Sequence, residues 1–171
     1  MLATIKSTLK RRSVKIMLEI LVFVLIYFLV RAWMQRDLPS GPAPELVATT
    51  LSGQTLNLAS LVKERPVLLH FWATWCGVCK LEQGSIQNIS QDHAVVTVAI
   101  QSEGAQAVQA YLQEHHLTFP VIVDDSGVLM QRFGVRGVPA SFIINRNGEI
   151  VAKEVGFTTE WGLRARLWWA N

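Results

Sequence analysis

Residues 67–80 read Val67-Leu68-Leu69-His70-Phe71-Trp72-Ala73-Thr74-Trp75-Cys76-Gly77-Val78-Cys79-Lys80. The first six, apolar except for His70, have the pattern of a central strand buried on both faces. A helix is predicted from about Cys76 to Ile89. The two cysteines therefore fall at a strand-to-helix junction, with the first sulfur at a helix N-terminus. Unpaired backbone N–H groups and the helix dipole there favour thiolate over thiol. Thiolate is the attacking species in disulfide exchange, so Cys76 is the expected nucleophile. Cys79, one turn further in, is expected to resolve the mixed disulfide by attacking Cys76. Gly77 keeps the loop between them compact and open to another protein chain.

These are the only two cysteines of the chain. Three residues apart, they cannot staple distant parts of a fold, which excludes a structural disulfide framework. Structural zinc takes four ligands, and no second cysteine pair exists to complete a site. His93, His115 and His116 fall in predicted polar or helix-end positions, where solvated histidines are usual. No metal and no cofactor are expected. The chemical alternative is a copper(I)-binding or copper-delivery module on the same two sulfurs, since soft thiolates select that ion.

Outward from this centre, residues 46–61 read as two short strands about Ser52-Gly53 and then a helical turn. Ala94–Ile100 is a second buried strand. Gly104–His115 is predicted as a helix with apolar positions at Ala107, Val108, Tyr111 and Leu112. Phe119–Val123 is a third strand, with Pro120 as an ordinary strand start, and a short helical stretch spans Val128–Phe133. Ala140–Asn145, an Asn147-Gly148 turn and Glu149–Val155 make a hairpin. A last helix begins near Thr158 and is expected to bury Trp161, Leu163 or Leu167, and one of Trp168 and Trp169. Strands alternating with helices and ending in a hairpin and a helix define an α/β fold with a mixed central sheet.

The run FWATWCGVCK (71–80) resembles the active-site signature of the thioredoxin superfamily. More narrowly, residues 44–171 resemble the TlpA/ResA/DsbE-like membrane-anchored thiol–disulfide oxidoreductases and are similar to the suppressor-of-copper-sensitivity D proteins. The resemblance implies a thioredoxin-like fold with an N-terminal β-hairpin extension and an added strand–helix region at about 101–123. It implies that Pro139, in Gly137-Val138-Pro139-Ala140, is a cis-proline facing the cysteines, with Val138 offering backbone groups to a substrate chain. Read from the residues alone, a proline entering a strand is also compatible with an edge position. Trp75 and Val78 complete the expected substrate-binding set with Gly77 and Val138. Glu82 matches a glutamate linked in this group to cysteine acidity and substrate specificity; its plain alternative is a solvated carboxylate on the helix surface. His70 occupies the place of an aspartate beneath the site of ordinary thioredoxins. There it would shuttle a proton for Cys79 or serve as a hydrogen-bonded core histidine. Gly84 departs from the group, which commonly has a helix-bending proline at that place.

The N-terminal segment has another character. Residues 1–43 carry seven Lys/Arg and two Asp/Glu, 7 − 2 = +5, and residues 44–171 carry nine against eleven, 9 − 11 = −2. The basic balance thus belongs to the N-terminus, and a nucleic-acid groove on the body has no support. Residues 14–34 contain an apolar run close to the ~20 residues that cross a bilayer core. Lys15 and Arg31 are placed to snorkel, Trp33 suits the interface, and Glu19 can pair with Lys15. Five basic residues precede the run, so residues 1–13 are expected in the cytoplasm and the body in the periplasm, on the inner membrane. A cleaved signal peptide with a site at Gly41-Pro42-Ala43 is the alternative. Residues 35–45, with three prolines and a glycine, read as a semi-rigid tether to the domain at 46–171. The implied partners are protein thiols or disulfides, the lipid bilayer and a membrane electron carrier that recycles the cysteines. Apocytochrome c or copper-stress proteins are the implied clients, with the chain acting as a reductase.

Overall fold

The computed structural model describes the backbone of residues 2–36 and 38–171, and the side chains of these except residues 2–14, 31 and 34. The cationic side chains of residues 1–13 and Arg31 thus lie outside the described residues. The chain divides into two units, 1–36 and 37–171.

The first unit is one helix, α1 (Leu2–Gln35). Its apolar side chains from Ile16 to Val30 are exposed. Lys15 Nζ lies 4.0 Å from Glu19 Oε1, one turn on, and the Arg36 guanidinium sits 5.2 Å over the Trp33 ring. Among the described residues no helix is long and apolar enough to cross a membrane. The side chains of Val14, Arg31 and Met34, part of the expected span, lie outside the described residues.

The second unit runs β1 (Gly41–Pro42), β2 (Val47–Thr49), β3 (Thr55–Asn57), α2 (Leu58–Glu64), β4 (Val67–Trp72), α3 (Gly77–Ile89), β5 (Ala94–Ile100), α4 (Gly104–Glu114), β6 (Val121–Asp124), α5 (Val128–Arg132), β7 (Ala140–Ile144), β8 (Glu149–Val155) and α6 (Glu160–Trp169). Six strands form one mixed sheet in the order β1-β8-β7-β4-β5-β6, and β2 and β3 form a separate hairpin. β4 lies in the interior of the sheet, parallel to β5 and antiparallel to β7, and all six of its residues are buried. Its apolar run is what both covered faces require.

The expected tether is replaced by structure from Leu38 onward. Leu38 is buried, β1 pairs with β8, and the Ala43 N–H donates to Gly148 O at 2.8 Å. Lys153 Nζ donates to Leu38 O and Ser40 Oγ at 2.8 and 2.9 Å. The prolines that suggest a spacer are tolerated because an edge strand leaves alternate N–H groups unused.

Register sorts the side chains by face. His70 pairs with Ser141, and Ser141 with Glu154, so all three point to one side of the sheet. Glu154 pairs with Arg166 of α6, which identifies that side as the α6 side. There Trp72 packs on Tyr111 of α4 and on Phe119, ring centroids 5.3 and 6.0 Å apart. The other side is centred on Phe71, Phe133 and Phe142, mutually 5.5–5.8 Å apart. The expectation for the last helix is corrected. α6 buries Leu163 and Leu167, while Trp161, Trp168 and Trp169 are all exposed. The 3.6-residue period places Leu163 and Leu167 on one stripe and sends Trp161 and Trp168 to the opposite side.

Candidate active site

The strand-to-helix junction positions the sulfurs. β4 ends at Trp72, and the Cys76 N–H closes a turn onto Ala73 O at 3.2 Å. Cys76, in extended conformation, is the N-cap of α3, and its Sγ accepts the Cys79 N–H at 3.1 Å. The two cysteines are joined in a disulfide. Both are buried, whereas Gly77 and Val78 between them are exposed, so a partner approaches over the Gly77-Val78 turn.

The Val138–Pro139 peptide is cis, and Val138 O lies 3.6 Å from Cys76 Sγ. The disulfide sulfur has no proton to donate, so this is a contact rather than a hydrogen bond. Val138, half-buried, stands beside the reactive sulfur. Pro139 is buried, and its carbonyl accepts the Gly156 N–H at 2.9 Å.

A second group of residues holds the approach loop, and sequence reasoning missed it. The fully buried Ser102 accepts the Thr74 N–H at 3.1 Å, donates its hydroxyl proton to Ile100 O at 2.9 Å, and is held through its own N–H by Asp125 Oδ1 at 3.0 Å. The neighbouring Gln101 carbonyl accepts the Trp75 indole N–H at 2.9 Å. Gln101 and Glu103 adopt positive φ of 43° and 62°, a conformation that costs on the order of 1 kcal/mol or more for a residue with a Cβ. Trp75 is thereby fixed beside the cysteines while remaining 61% exposed. Ser102→Ala leaves the Thr74 N–H without that partner. It is expected to lower stability by about 1–3 kcal/mol, read as a shift in the urea midpoint.

Glu82 is fully buried, which overturns the surface-carboxylate reading. Cys79, Glu82, Ile86 and Ile89 share the buried face of α3. Glu82 Oε1 accepts the Thr158 N–H at 3.0 Å, and Oε2 is buried without a hydrogen-bond partner. Burial raises its pKa to about 7, against the opposing pull of the Thr158 N–H. The carboxyl group therefore changes charge near neutral pH, one turn beyond Cys79.

His70 is tied to the sheet. Its Nδ1 lies 2.9 Å from Ser141 Oγ, its register partner on β7. Burial lowers its pKa to about 3, so in the folded chain the ring is neutral at neutral and mildly acidic pH. A folded pKa below the ordinary 6.5 means that the unfolded chain takes up the proton first. The resulting stability is full above pH 6.5 and is lost as pH falls towards 3. Between pH 4.5 and 3 this amounts to about 2 kcal/mol, at about 1.4 kcal/mol per pH unit. His70→Asn is expected to lack that part of the acid sensitivity in pH-dependent urea unfolding.

A cysteine pair capping a helix against a cis-proline, on a mixed sheet flanked by helices, defines a thiol–disulfide oxidoreductase of thioredoxin-like fold. The chain belongs to the AhpC/TSA family, whose model matches residues 39–153. It is 32% identical over 122 residues to a thioredoxin-like protein of Haemophilus influenzae, covering 71% of this chain and 72% of that one. It is 30% identical over 129 residues to the thiol-disulfide oxidoreductase ResA of Bacillus cereus, covering 73% and 74%. The crystal structure of StoA from Bacillus subtilis superposes with a TM-score of 0.64 at 29% identity, covering 74% of this chain and 98% of that one. The enzymatic class is thus that of the ResA/StoA/DsbE-type oxidoreductases.

Proposed function

We propose that the chain is a membrane-tethered reductase of protein disulfides, with its catalytic domain on the periplasmic side of the inner membrane. The observation that carries the chemistry is the Cys76–Cys79 disulfide at the cap of α3, with Val138 O beside Cys76 Sγ. In the dithiol form, Cys76 thiolate attacks a client disulfide, forms a mixed disulfide and expels one client thiolate. Cys79 then loses its proton and attacks Cys76 Sγ. That step closes the intramolecular disulfide and releases the second client thiolate, leaving the client reduced by two electrons. Glu82, on the same helical face as Cys79, is the group suited to take that proton. Trp75, Gly77, Val78 and Val138 form the rim that receives the client backbone.

The tether reading is supported by the apolar run of α1, by Trp33 near its end and by the basic residues before it. Since that compartment oxidises thiols, a membrane electron carrier must re-reduce the cysteines. Apocytochrome c or copper-stress proteins are the proposed clients. The test is a redox titration of the full-length protein in detergent, following the Cys76–Cys79 disulfide. A potential near or below about −270 mV supports a reductase, and one near about −120 mV makes it an oxidant of client thiols. Absence of any reversible disulfide would sink the exchange mechanism and favour copper(I) on the two sulfurs.

A further inference from the structure

We propose that Phe157 is a specificity-determining residue, receiving an apolar side chain that the client carries about three residues from its cysteine. The inference rests on the protein-disulfide reading above and names the kind of segment that site accepts. It starts from the order of the strand ends. β4 is parallel to β5 and antiparallel to β7, and β7 is antiparallel to β8. One rim of the sheet therefore carries the end of β5, the end of β4, the start of β7 and the end of β8, side by side. Register sets them level, since Phe71 pairs with Ala140 and Ala140 with Val155. Just beyond these ends lie, in turn, Gln101 with the Trp75 indole bound to it, the cysteine turn, Val138-Pro139 and Gly156-Phe157. A chain lying across the rim meets Trp75, Cys76, Val138 and Phe157 in that order.

Phe157 is placed by its neighbours. The Gly156 N–H donates to Pro139 O at 2.9 Å, and the Thr158 N–H donates to Glu82 Oε1 at 3.0 Å. The segment between them thus joins the cis-proline loop to α3, while Phe157 itself stays 52% exposed. α3 presents apolar side chains to the same segment. Val78, Leu81, Ser85 and Asn88 stand at i, i+3, i+7 and i+10, a single stripe along the helix. Asn88 Nδ2 donates to Glu160 Oε2 at 3.1 Å, which turns that stripe towards the chain just after Phe157. The other flank of α3 faces α4, where Lys80 lies over the Tyr111 ring and Gln83 accepts the Tyr111 hydroxyl. The cation of the active-site turn is therefore directed off this edge, and Val78, Leu81 and Phe157 are left exposed on it. Continuity with the cysteines decides the occupant. Any client joined to Cys76 lies against Val138, whose carbonyl is 3.6 Å from the sulfur. From β4 to β8 is two strand spacings, about 10 Å, which an extended chain covers in about three residues. The side chain that reaches Phe157 is thus the client's own, close to its reacting cysteine, and burial against Phe157 favours an apolar one.

The test measures second-order rate constants for oxidation of the pre-reduced full-length protein, in detergent, by two peptide disulfides. Each is a disulfide-linked dimer of a short peptide with one central cysteine. One carries leucine and the other serine at the second and third positions on both sides of that cysteine. One peptide disulfide becomes two thiols as Cys76 and Cys79 close their own disulfide, so the electrons balance without another reductant. The wild type is expected to react faster with the leucine peptide by about tenfold or more. Phe157→Ser is expected to lose that preference while keeping the serine-peptide rate, and Phe157→Leu to retain it. All three chains meet the same peptide pool, so partitioning into detergent cancels in the comparison. If Phe157→Ser slows both peptides by one factor, Phe157 serves the shape of the site and the proposal fails. It fails also if the wild type shows no preference or if Phe157→Ser keeps one. If the wild type reacts with neither peptide, the protein-disulfide reading falls and this inference falls with it.

Discussion

A Cys79→Ala variant is expected to accumulate covalent complexes with client proteins through Cys76, and a Cys76→Ala variant to accumulate none. The asymmetry follows from the geometry of the pair. Cys76 caps α3 and lies against Val138, next to the exposed Gly77-Val78 turn, so it is the sulfur an incoming chain meets. Cys79 is turned to the buried face with Glu82 and Ile86, where only Cys76 is within its reach. Removing Cys79 therefore leaves the first attack intact and deletes the intramolecular step that releases the client. Even an effective molarity of about 1 M, modest beside the ~10⁵ M reached by well-oriented groups, exceeds millimolar external thiol by about a thousandfold. The mixed disulfide is thus expected to live at least a few hundred times longer than in the wild type. Non-reducing electrophoresis after alkylation reads this directly. Equal trapping by both variants would mean that the two sulfurs exchange roles and that the helix cap does not select the nucleophile.

The centre of this fold was legible because its residues carry several independent signals at once. Val67–Trp72 declares a buried strand by composition, and the next turn declares its chemistry through the spacing of Cys76 and Cys79. Pro139 was legible only through resemblance, since a lone proline entering a strand is also compatible with an edge position. Glu82 was ambiguous because helix periodicity alone did not settle the matter: at three residues from Cys79 it shares the buried face, yet an unpaired carboxylate is costly there. The misreadings have a common cause. Composition describes what a residue prefers, and the fold decides which preference is met. The prolines of residues 39–44 suit a spacer and also an edge strand, and β8 offers an edge to pair with. Trp161, Trp168 and Trp169 are large and apolar, so a soluble core seems their natural place, but the room under α6 is taken by Leu163 and Leu167. Ser102 and Gln101 carry no sequence signal, because a single serine or a backbone carbonyl gains its role only from the loop around it.

Glu82→Gln is expected to change both the pH dependence of stability and that of turnover. The folded pKa of Glu82 lies near 7, above the ordinary 4.5, chiefly because burial penalises the carboxylate. The folded protein therefore holds this proton when the unfolded chain has lost it. The stability tied to the group is full below pH 4.5 and is lost as pH rises through 7, a total of about 3 kcal/mol at about 1.4 kcal/mol per pH unit. His70 works in the opposite sense. Its contribution grows as pH rises from about 3 to 6.5. Between pH 4.5 and 6.5 the two slopes cancel, so these groups leave the wild-type stability level. Glutamine cannot titrate, so Glu82→Gln exposes the His70 slope as a rise of about 1.4 kcal/mol per pH unit across that range, read from urea midpoints. The amide oxygen of the substituted side chain can still accept the Thr158 N–H, so the fold is retained, at a cost of about 1–3 kcal/mol for a buried amide that lacks full pairing. In turnover, loss of a proton acceptor beside Cys79 is expected to slow client release by about 100-fold or more, the usual scale for a positioned general base. The wild-type rate of release is expected to rise through an inflection near pH 7, and the variant's is not. A variant that keeps both the inflection and the wild-type rate would show that Cys79 gives its proton to another group and that Glu82 serves the fold alone.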